Sequence, residues 1–129
     1  MKLLLDTHIW LWSLLNPERI GRRTTREIED PANELWISPI STWEVLTLTD
    51  KHRINIVGDV TDWITRARSN LREAPLTHEI AVAARQLRLP HQDPADRFLA
   101  ATAQVLHLTL VTADVQLLGL GEISTLANR

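Results

Sequence analysis

The sequence predicts an α/β protein whose mostly parallel sheet is covered by helices on both faces. Short apolar runs alternate with segments of helical periodicity along the chain, an order that is typical of βαβ units. The first run, Lys2–Leu5, is apolar after its first residue, as strands are when both faces of their sheet are buried. Because neither a linker nor an internal repeat divides the chain, we expect one domain over residues 1–129.

The predicted strands are short and stop at polar residues, and several predicted helices begin at a capping residue or a proline. Strands are predicted at residues 2–5, 35–37 and 108–111, with further candidates at 71–76 and 123–126. Helices are predicted at residues 7–15, 22–30, 39–50, 60–68, 77–87 and 94–105, and a short one at 115–118.

The composition excludes several classes of protein. Fourteen Lys and Arg against 16 Asp and Glu give a net charge of −2, so there is no overall basic field for unspecific binding of nucleic acid. The absence of cysteine excludes a disulfide scaffold, a thiolate zinc site and a cysteine nucleophile. The most apolar stretch, residues 3–15, is too short to span a membrane, and we expect a cytoplasmic protein.

Four carboxylates are predicted at the same edge of the sheet. Asp6 ends the first predicted strand, and Asp114 follows the strand at 108–111. Glu44 lies in the helix after the second strand, and Asp96 opens the helix that leads into the third. In parallel sheets, ligands bind outside the carboxyl ends of the strands, so these acids are candidates for one site.

Carboxylates brought together in this way repel one another unless they are protonated or bridged by a cation. Without cysteine the available donors are oxygens, which favour a hard, partly hydrated ion, Mg²⁺ or Mn²⁺. Such an ion activates a water molecule and stabilises charge on a phosphoryl group during its transfer. The acids therefore predict metal-assisted chemistry on a phosphate ester.

Three of the acids also have a purely structural interpretation. Asp6 and Asp114 each precede a predicted helix and could cap it. Glu44 ends an S-x-x-E capping box that begins at Ser41. Ser38, followed by a proline, is the better helix start, however, and it leaves Glu44 without a capping role.

The Asp93-Pro94-Ala95-Asp96 segment holds two acids, to which we assign different roles. Asp93 followed by proline is a strong helix-start signal, so Asp93 is assigned to capping. Asp96 at the third helical position would also complement the helix dipole, but we assign it to the metal.

Four blocks of the sequence resemble the PIN-domain family and, within it, the VapC-type toxins of bacterial toxin–antitoxin pairs. They are LLLDTH at 3–8, ISPISTWE at 37–44, HQDPADRFLAA at 91–101 and LVTAD at 110–114. The order and spacing of the blocks cover nearly the whole chain, whereas any single block would be a weak signal. The resemblance implies a three-layer α/β/α PIN-like domain.

The resemblance also implies an activity, that of a metal-dependent endoribonuclease. Its acidic residues are matched by Asp6, Glu44, Asp96 and Asp114. Thr112 matches a small hydroxyl residue near that centre, and Thr7 is the small polar residue expected beside the first acid. His8 departs from the pattern, since Asn or Ser is more frequent there. The partners implied are RNA, an antitoxin that covers the active site and a second copy of the chain.

Basic and aromatic residues supply candidates for contacts with RNA. We expect Lys51, Arg53 and Arg97 to contact the RNA backbone, because they lie next to the segments that carry Glu44 and Asp96. The five tryptophans could stack on bases, although four sit in apolar patterns typical of a core or an interface. Trp10 and Trp12 point some 200° apart on their helix, so both cannot face one core.

Two other functions stay open. A phosphotransfer domain also has an aspartate after its first strand, but it needs a second acid two residues on, or paired acids and a late lysine; here residue 8 is histidine and no lysine follows Lys51. A catalytically silent PIN-like binding module is the second alternative.

His91 is interpreted as a loop residue near the Asp93 segment.

Overall fold

A five-stranded parallel sheet organises the computed structural model, which describes residues 1–90 and 92–129. The strands are β1 (Lys2–Leu5), β2 (Glu34–Ile37), β3 (Arg72–Glu73), β4 (Thr109–Thr112) and β5 (Ser124–Ala127). The helices are α1 (Thr7–Leu15), α2 (Arg22–Glu29), α3 (Pro39–Asp50), α4 (Val60–Ala67), α5 (His78–Gln86), α6 (Pro94–Leu106) and α7 (Val115–Leu118), with a 3₁₀ turn at Pro17–Arg19. The interpretation of His91 lies outside the described residues.

The strand order is β3-β2-β1-β4-β5, and every neighbouring pair is parallel. The first strand is therefore central: Leu3 pairs with Leu35 of β2 on one side and with Thr109 of β4 on the other. The predicted parallel sheet is confirmed, with parallel pairing throughout rather than in most of it. Since β1 and β4 run side by side, the residues that follow them lie next to each other.

Helices cover both faces of the sheet, as predicted. Leu4 and Leu110 are buried in a cluster with side chains of α5 and α6. Leu3, Leu5 and Val111 are buried in a second cluster, which holds side chains of α1 and α3. Successive residues of a strand point to opposite faces, so the adjacent apolar residues of β1 and β4 are buried alternately in the two clusters. The three-layer α/β/α architecture is confirmed.

The bounds of four of the five predicted strands differ from the prediction, and for two of these strands a local reason is visible. The candidate strand at 71–76 forms only β3, because Ala74 makes the last ladder bond, to the Ile37 carbonyl 2.9 Å away, and Pro75 has no N–H to continue it. The strand predicted from Leu108 begins one residue later. The Leu108 N–H donates to the Ala103 carbonyl at 2.9 Å and so completes the end of α6.

Among the described residues, no helix is long and apolar enough to span a bilayer.

Candidate active site

One cleft at the carboxyl edge of the sheet holds all four carboxylates that the sequence singled out. Its volume is about 340 Å³. It is lined by Asp6, His8, Trp12, Glu44, Asp93, Asp96, Ala113 and Asp114. The parallel sheet brings the four acids together from β1, α3, α6 and the loop after β4. The structure thus places the four acids in one cleft, at the edge where the sequence predicted a shared site.

Asp6 occupies the N-cap position of α1 but does not serve as its cap. Within residues 1–90 and 92–129 its side chain makes no capping hydrogen bond. Instead, the Thr112 hydroxyl donates to Asp6 Oδ2 at 2.6 Å, and both side chains are buried. The structural interpretation of Asp6 as a helix cap is therefore wrong. Its carboxylate is fixed by the neighbouring strand.

Thr112 connects two of the four acids. While its hydroxyl donates to Asp6, the same oxygen accepts a hydrogen bond from the Asp114 N–H at 3.0 Å. Asp114 in turn caps α7, because its Oδ1 accepts from the Gln116 N–H at 2.8 Å. The capping role considered for Asp114 is confirmed, and the same residue also lines the cleft.

Glu44 is held by a neighbour of Asp6. The Thr7 hydroxyl donates a very short hydrogen bond to Glu44 Oε1, and Thr7 Oγ1 also lies 2.8 Å from the buried Ser41 hydroxyl. Ser38 caps α3 through the Ile40 N–H at 3.1 Å, so Glu44 has no role at the helix start, as predicted. Sequence reasoning missed the contact of Ser41 with Thr7. The signal was its position three residues before Glu44, on the same helix face.

Asp93 and Asp96 divide their roles less completely than predicted. Asp93 caps α6, since its Oδ1 accepts from the Ala95 N–H at 2.9 Å. Its side chain is exposed and also lines the cleft beside Asp96, which is half-buried in the first turn of the helix. Capping by Asp93 is confirmed, yet its charge remains part of the cleft.

The cleft raises the pKa values of three carboxyl groups. Burial is the main cause at Asp6 and Glu44, and hydrogen bonds from Thr112 and Thr7 oppose it. The pKa of Asp96 rises to about 7, first because of burial and then because of the neighbouring carboxylates, beginning with Asp6. Desolvation and like charges both disfavour the ionised form, so the cleft attracts cations.

The carboxylates surround an open space and do not converge on a point. Across the described residues, no three Asp, Glu or His side chains already stand as the ligands of one metal ion. Two of the acids are instead bonded to threonine hydroxyls. The donors that line the cleft are mostly carboxylate oxygens, with the His8 ring at its edge.

The three predicted RNA contacts have different surroundings. Lys51 is exposed and lines a groove next to the cleft, and Arg53 is exposed just beyond α3. Arg97 differs from the expectation: its guanidinium donates to the carbonyls of Ala84 at 2.7 Å and of Leu87 at 3.2 Å. It also donates to the Leu89 carbonyl at 3.2 Å. These bonds hold the end of α5 and the residues just after it against α6, which gives Arg97 a structural role.

Aromatic side chains form one wall of the cleft. Trp10 is 1% exposed and buried in the cluster beneath α1, whereas Trp12 is half-buried, packs against the same cluster and lines the cleft. The prediction that the two cannot face one core is therefore wrong, although only Trp10 is fully buried there. The Arg19 guanidinium lies 4.3 Å from the Trp12 ring centroid, and the His8 ring packs against the same indole, tilted by 33° with 5.9 Å between the ring centroids. No pattern in the sequence predicted this contact of Arg19, which lies in the 3₁₀ turn after α1 and packs on Trp12 from there.

The chain is similar in sequence and in fold to several known proteins. Ribonuclease VapC22 of Mycobacterium tuberculosis is 33% identical over 117 residues, which cover 88% of each chain. The fold matches a chain of VapBC2 from Rickettsia felis bound to a promoter DNA fragment, with a TM-score of 0.77, 17% identity and 98% of both chains covered. It also matches DNA-bound VapBC from Salmonella typhimurium, with a TM-score of 0.74, 19% identity, and 100% and 99% of the two chains covered. The PIN-domain family model matches residues 3–122, and the chain belongs to the PIN-domain family.

Proposed function

We propose that this protein is a metal-dependent endoribonuclease and the toxin of a toxin–antitoxin pair. The cleft that holds Asp6, Glu44, Asp96 and Asp114 is the observation that carries the proposal. A ribonuclease of the same family, 33% identical over 117 residues, supports RNA as the substrate. The reaction is hydrolysis, in which water is added across a P–O bond of the RNA backbone.

The residues that line the cleft fit a hydrated Mg²⁺ or Mn²⁺ ion. Their donors are hard carboxylate oxygens. The pKa of Asp96 is raised to about 7 by burial first and then by repulsion from the neighbouring carboxylates, and a bound cation would relieve that repulsion. Magnesium keeps several of its waters and uses only one or two carboxylates, which suits acids spread around an open cleft. When bound, such an ion stabilises charge on the phosphoryl group and lowers the pKa of a water molecule.

Each acid has its own task in this proposal. Asp6 and Asp96 hold the ion, directly or through water, and Glu44 and Asp114 complete the site and orient the attacking water. The Thr7 hydroxyl fixes Glu44, and the Thr112 hydroxyl fixes Asp6. Because both carboxylates are already held in place by these hydrogen bonds, they need little rearrangement when substrate binds.

The partners follow from the same family. Solved structures with this fold include a toxin–antitoxin complex from Klebsiella pneumoniae, at a TM-score of 0.68 and 23% identity. We propose that a cognate antitoxin covers the cleft and that two copies of the chain associate. Lys51 and Arg53 remain the proposed contacts to the RNA backbone, while Arg97 is left out because its guanidinium is bonded to three backbone carbonyls.

Two rival functions are weighed against this site. A phosphotransfer site needs a lysine near its aspartate. The chain has two lysines, Lys2 and Lys51, and neither is among the described residues that line the cleft. A silent binding module needs no charge cluster, and four carboxylates at one edge reduce stability unless they bind a cation.

The deciding experiment is cleavage of total cellular RNA by the purified protein, with the new ends mapped by sequencing. We expect cleavage that Mg²⁺ or Mn²⁺ supports, that a chelator stops and that Asp6→Ala abolishes. Asp59→Ala is the matched control. Asp59 is also an aspartate at an N-cap position, but it belongs to α4 and is not among the described residues that line the cleft. Equal cleavage by wild type and Asp6→Ala would contradict the role given to Asp6, and no cleavage by either would favour the silent module.

A further inference from the structure

A second groove, of about 680 Å³, opens beside the acidic cleft and shares part of its wall. One stripe of α3 lines it, formed by Ile40, Trp43, Glu44, Thr47, Leu48 and Lys51. Their spacing of three and four residues puts these side chains on a single helix face. The volume lies in the range of about 300–1,000 Å³ that is typical of sites for small organic groups.

The groove is continuous with the proposed active site. His8, Glu44 and Asp93 line both the groove and the acidic cleft. With a rise of 1.5 Å per residue, Lys51 lies about 10 Å beyond Glu44 along the helix axis. A linear substrate that is cut at the acids can therefore extend along α3 without leaving the surface.

Two features of the groove match the two parts of a nucleotide. The side chain of Trp43 is 60% exposed, so the core does not use this large flat ring. Lys51 is exposed, and among the described residues its ammonium group forms no ion pair. An indole stacks on a base of any kind, and an ammonium group binds a phosphate. A purely apolar occupant would leave the flat face of the indole without a stacked base and the ammonium group without a phosphate.

We propose that this groove binds the nucleotide of single-stranded RNA next to the bond that is cut. The base stacks on Trp43 and the adjoining phosphate contacts Lys51. The inference rests on the proposed ribonuclease function and deepens it, because it assigns the choice of cleavage site in part to Trp43. Bases paired in a duplex cannot reach the ring, so the groove selects single-stranded regions.

Binding is measured in the Asp96→Asn background, where RNA is not cleaved, with a short fluorescein-labelled single-stranded RNA of mixed sequence. We expect Trp43→Ala to weaken binding by roughly 5- to 150-fold, and Trp43→Phe, which keeps a stacking ring, to weaken it much less. A thermal melt of each variant shows that the exposed substitutions leave the fold intact.

Lys51→Gln tests the phosphate contact through salt. Loss of one phosphate contact on a single strand lowers the slope of log Kd against log salt concentration by about 0.7. Lys2→Gln is the matched control: it removes the other lysine of the chain, which lies at the amino end of β1, opposite Asp6. We expect its slope to equal that of the parent protein.

The same RNA backbone without bases separates stacking from other effects. Trp43→Ala and its parent should bind this abasic strand equally, while Lys51→Gln still lowers the slope. Unchanged binding of normal RNA by Trp43→Ala, with the same cleavage sites in the active enzyme, would overturn the inference and leave the ribonuclease function standing. If Trp43→Ala loses self-association in light scattering but still binds RNA as its parent does, the groove is a protein interface instead. If wild type does not cleave RNA, both proposals fail.

Discussion

The hydroxyl of Thr112 donates a 2.6 Å hydrogen bond to the carboxylate of Asp6, across 106 positions of the sequence. Thr112 is fully buried and Asp6 is 7% exposed, so water cannot replace this bond. It joins the carboxyl ends of the two adjacent central strands, and it lowers the pKa of a carboxyl group that burial raises.

Thr112→Val should reduce both stability and activity. Valine has nearly the same shape but cannot donate, and a buried group left without its partner costs about 1–3 kcal/mol. Cleavage should fall roughly 10- to 100-fold, as when a residue that orients a metal ligand is lost. Urea denaturation and an RNA cleavage assay measure the two effects. Thr112→Ser, which keeps the hydroxyl, should retain most of both, and an equal loss in the two variants would contradict the role given to the bond.

Asp96→Asn should abolish cleavage and change how stability depends on pH. The pKa of Asp96 is about 7 in the folded protein, against 3.8 for an unperturbed aspartate. Between these values the folded state binds more protons, so without metal the free energy of unfolding falls as pH rises from about 4 to about 7. The substitution should flatten this slope and stabilise the metal-free protein above pH 7, which denaturation at several pH values measures.

Asp62→Asn is the control for this pH effect. Asp62 has the same place in α4 that Asp96 has in α6, three residues after an N-cap aspartate, but it is exposed and far from the cleft residues in sequence. Asp62 can interact with the dipole of its helix as Asp96 does, but it lacks the neighbouring carboxylates that crowd Asp96. A variant Asp96→Asn that still cleaves RNA and loses stability as Asp62→Asn does would show that Asp96 only complements the dipole.

Asp93→Ala should mainly destabilise the protein, by about 1 kcal/mol, because α6 loses its N-cap. Its effect on cleavage should be smaller than that of Asp6→Ala. Because the Asp93 charge helps to raise the pKa of Asp96, that pKa should also fall in the variant. Asp59→Ala removes the equivalent cap of α4 and should leave the pKa of Asp96 unchanged. Full stability together with lost cleavage would mean that Asp93 belongs to the catalytic set.

Mg²⁺ should stabilise the protein through Asp6. The ion binds the folded state, where the acids share one cleft, and has little affinity for the unfolded chain, where they lie far apart. At a hundred times its dissociation constant, such a ligand adds roughly 2.7 kcal/mol to the free energy of unfolding. Thermal melts with Mg²⁺, Mn²⁺ and Ca²⁺ measure this, and we expect Ca²⁺ to bind but to support cleavage poorly. Identical responses of wild type and Asp6→Ala would show that the acids do not form one metal site.

The sequence by itself determined the elements of this fold and which acids would meet. Short strands with apolar residues at successive positions are typical of a sheet covered on both faces, and the proline-marked helix starts at Pro39 and Pro94 are local signals. Because parallel strands all present their carboxyl ends at one edge, the positions of Asp6 and Asp114 after their strands were sufficient to predict a shared site.

Only the tertiary structure decided what each side chain does at that edge. Asp6 stands at an N-cap position, yet its carboxylate bonds to Thr112 of a neighbouring strand rather than to its own helix. Arg97 lies beside Asp96 in sequence, yet its guanidinium points to the carbonyls after α5. Local sequence fixes the backbone through propensities and caps. The rotamer of a side chain depends on partners brought close by packing, and those partners are distant in sequence.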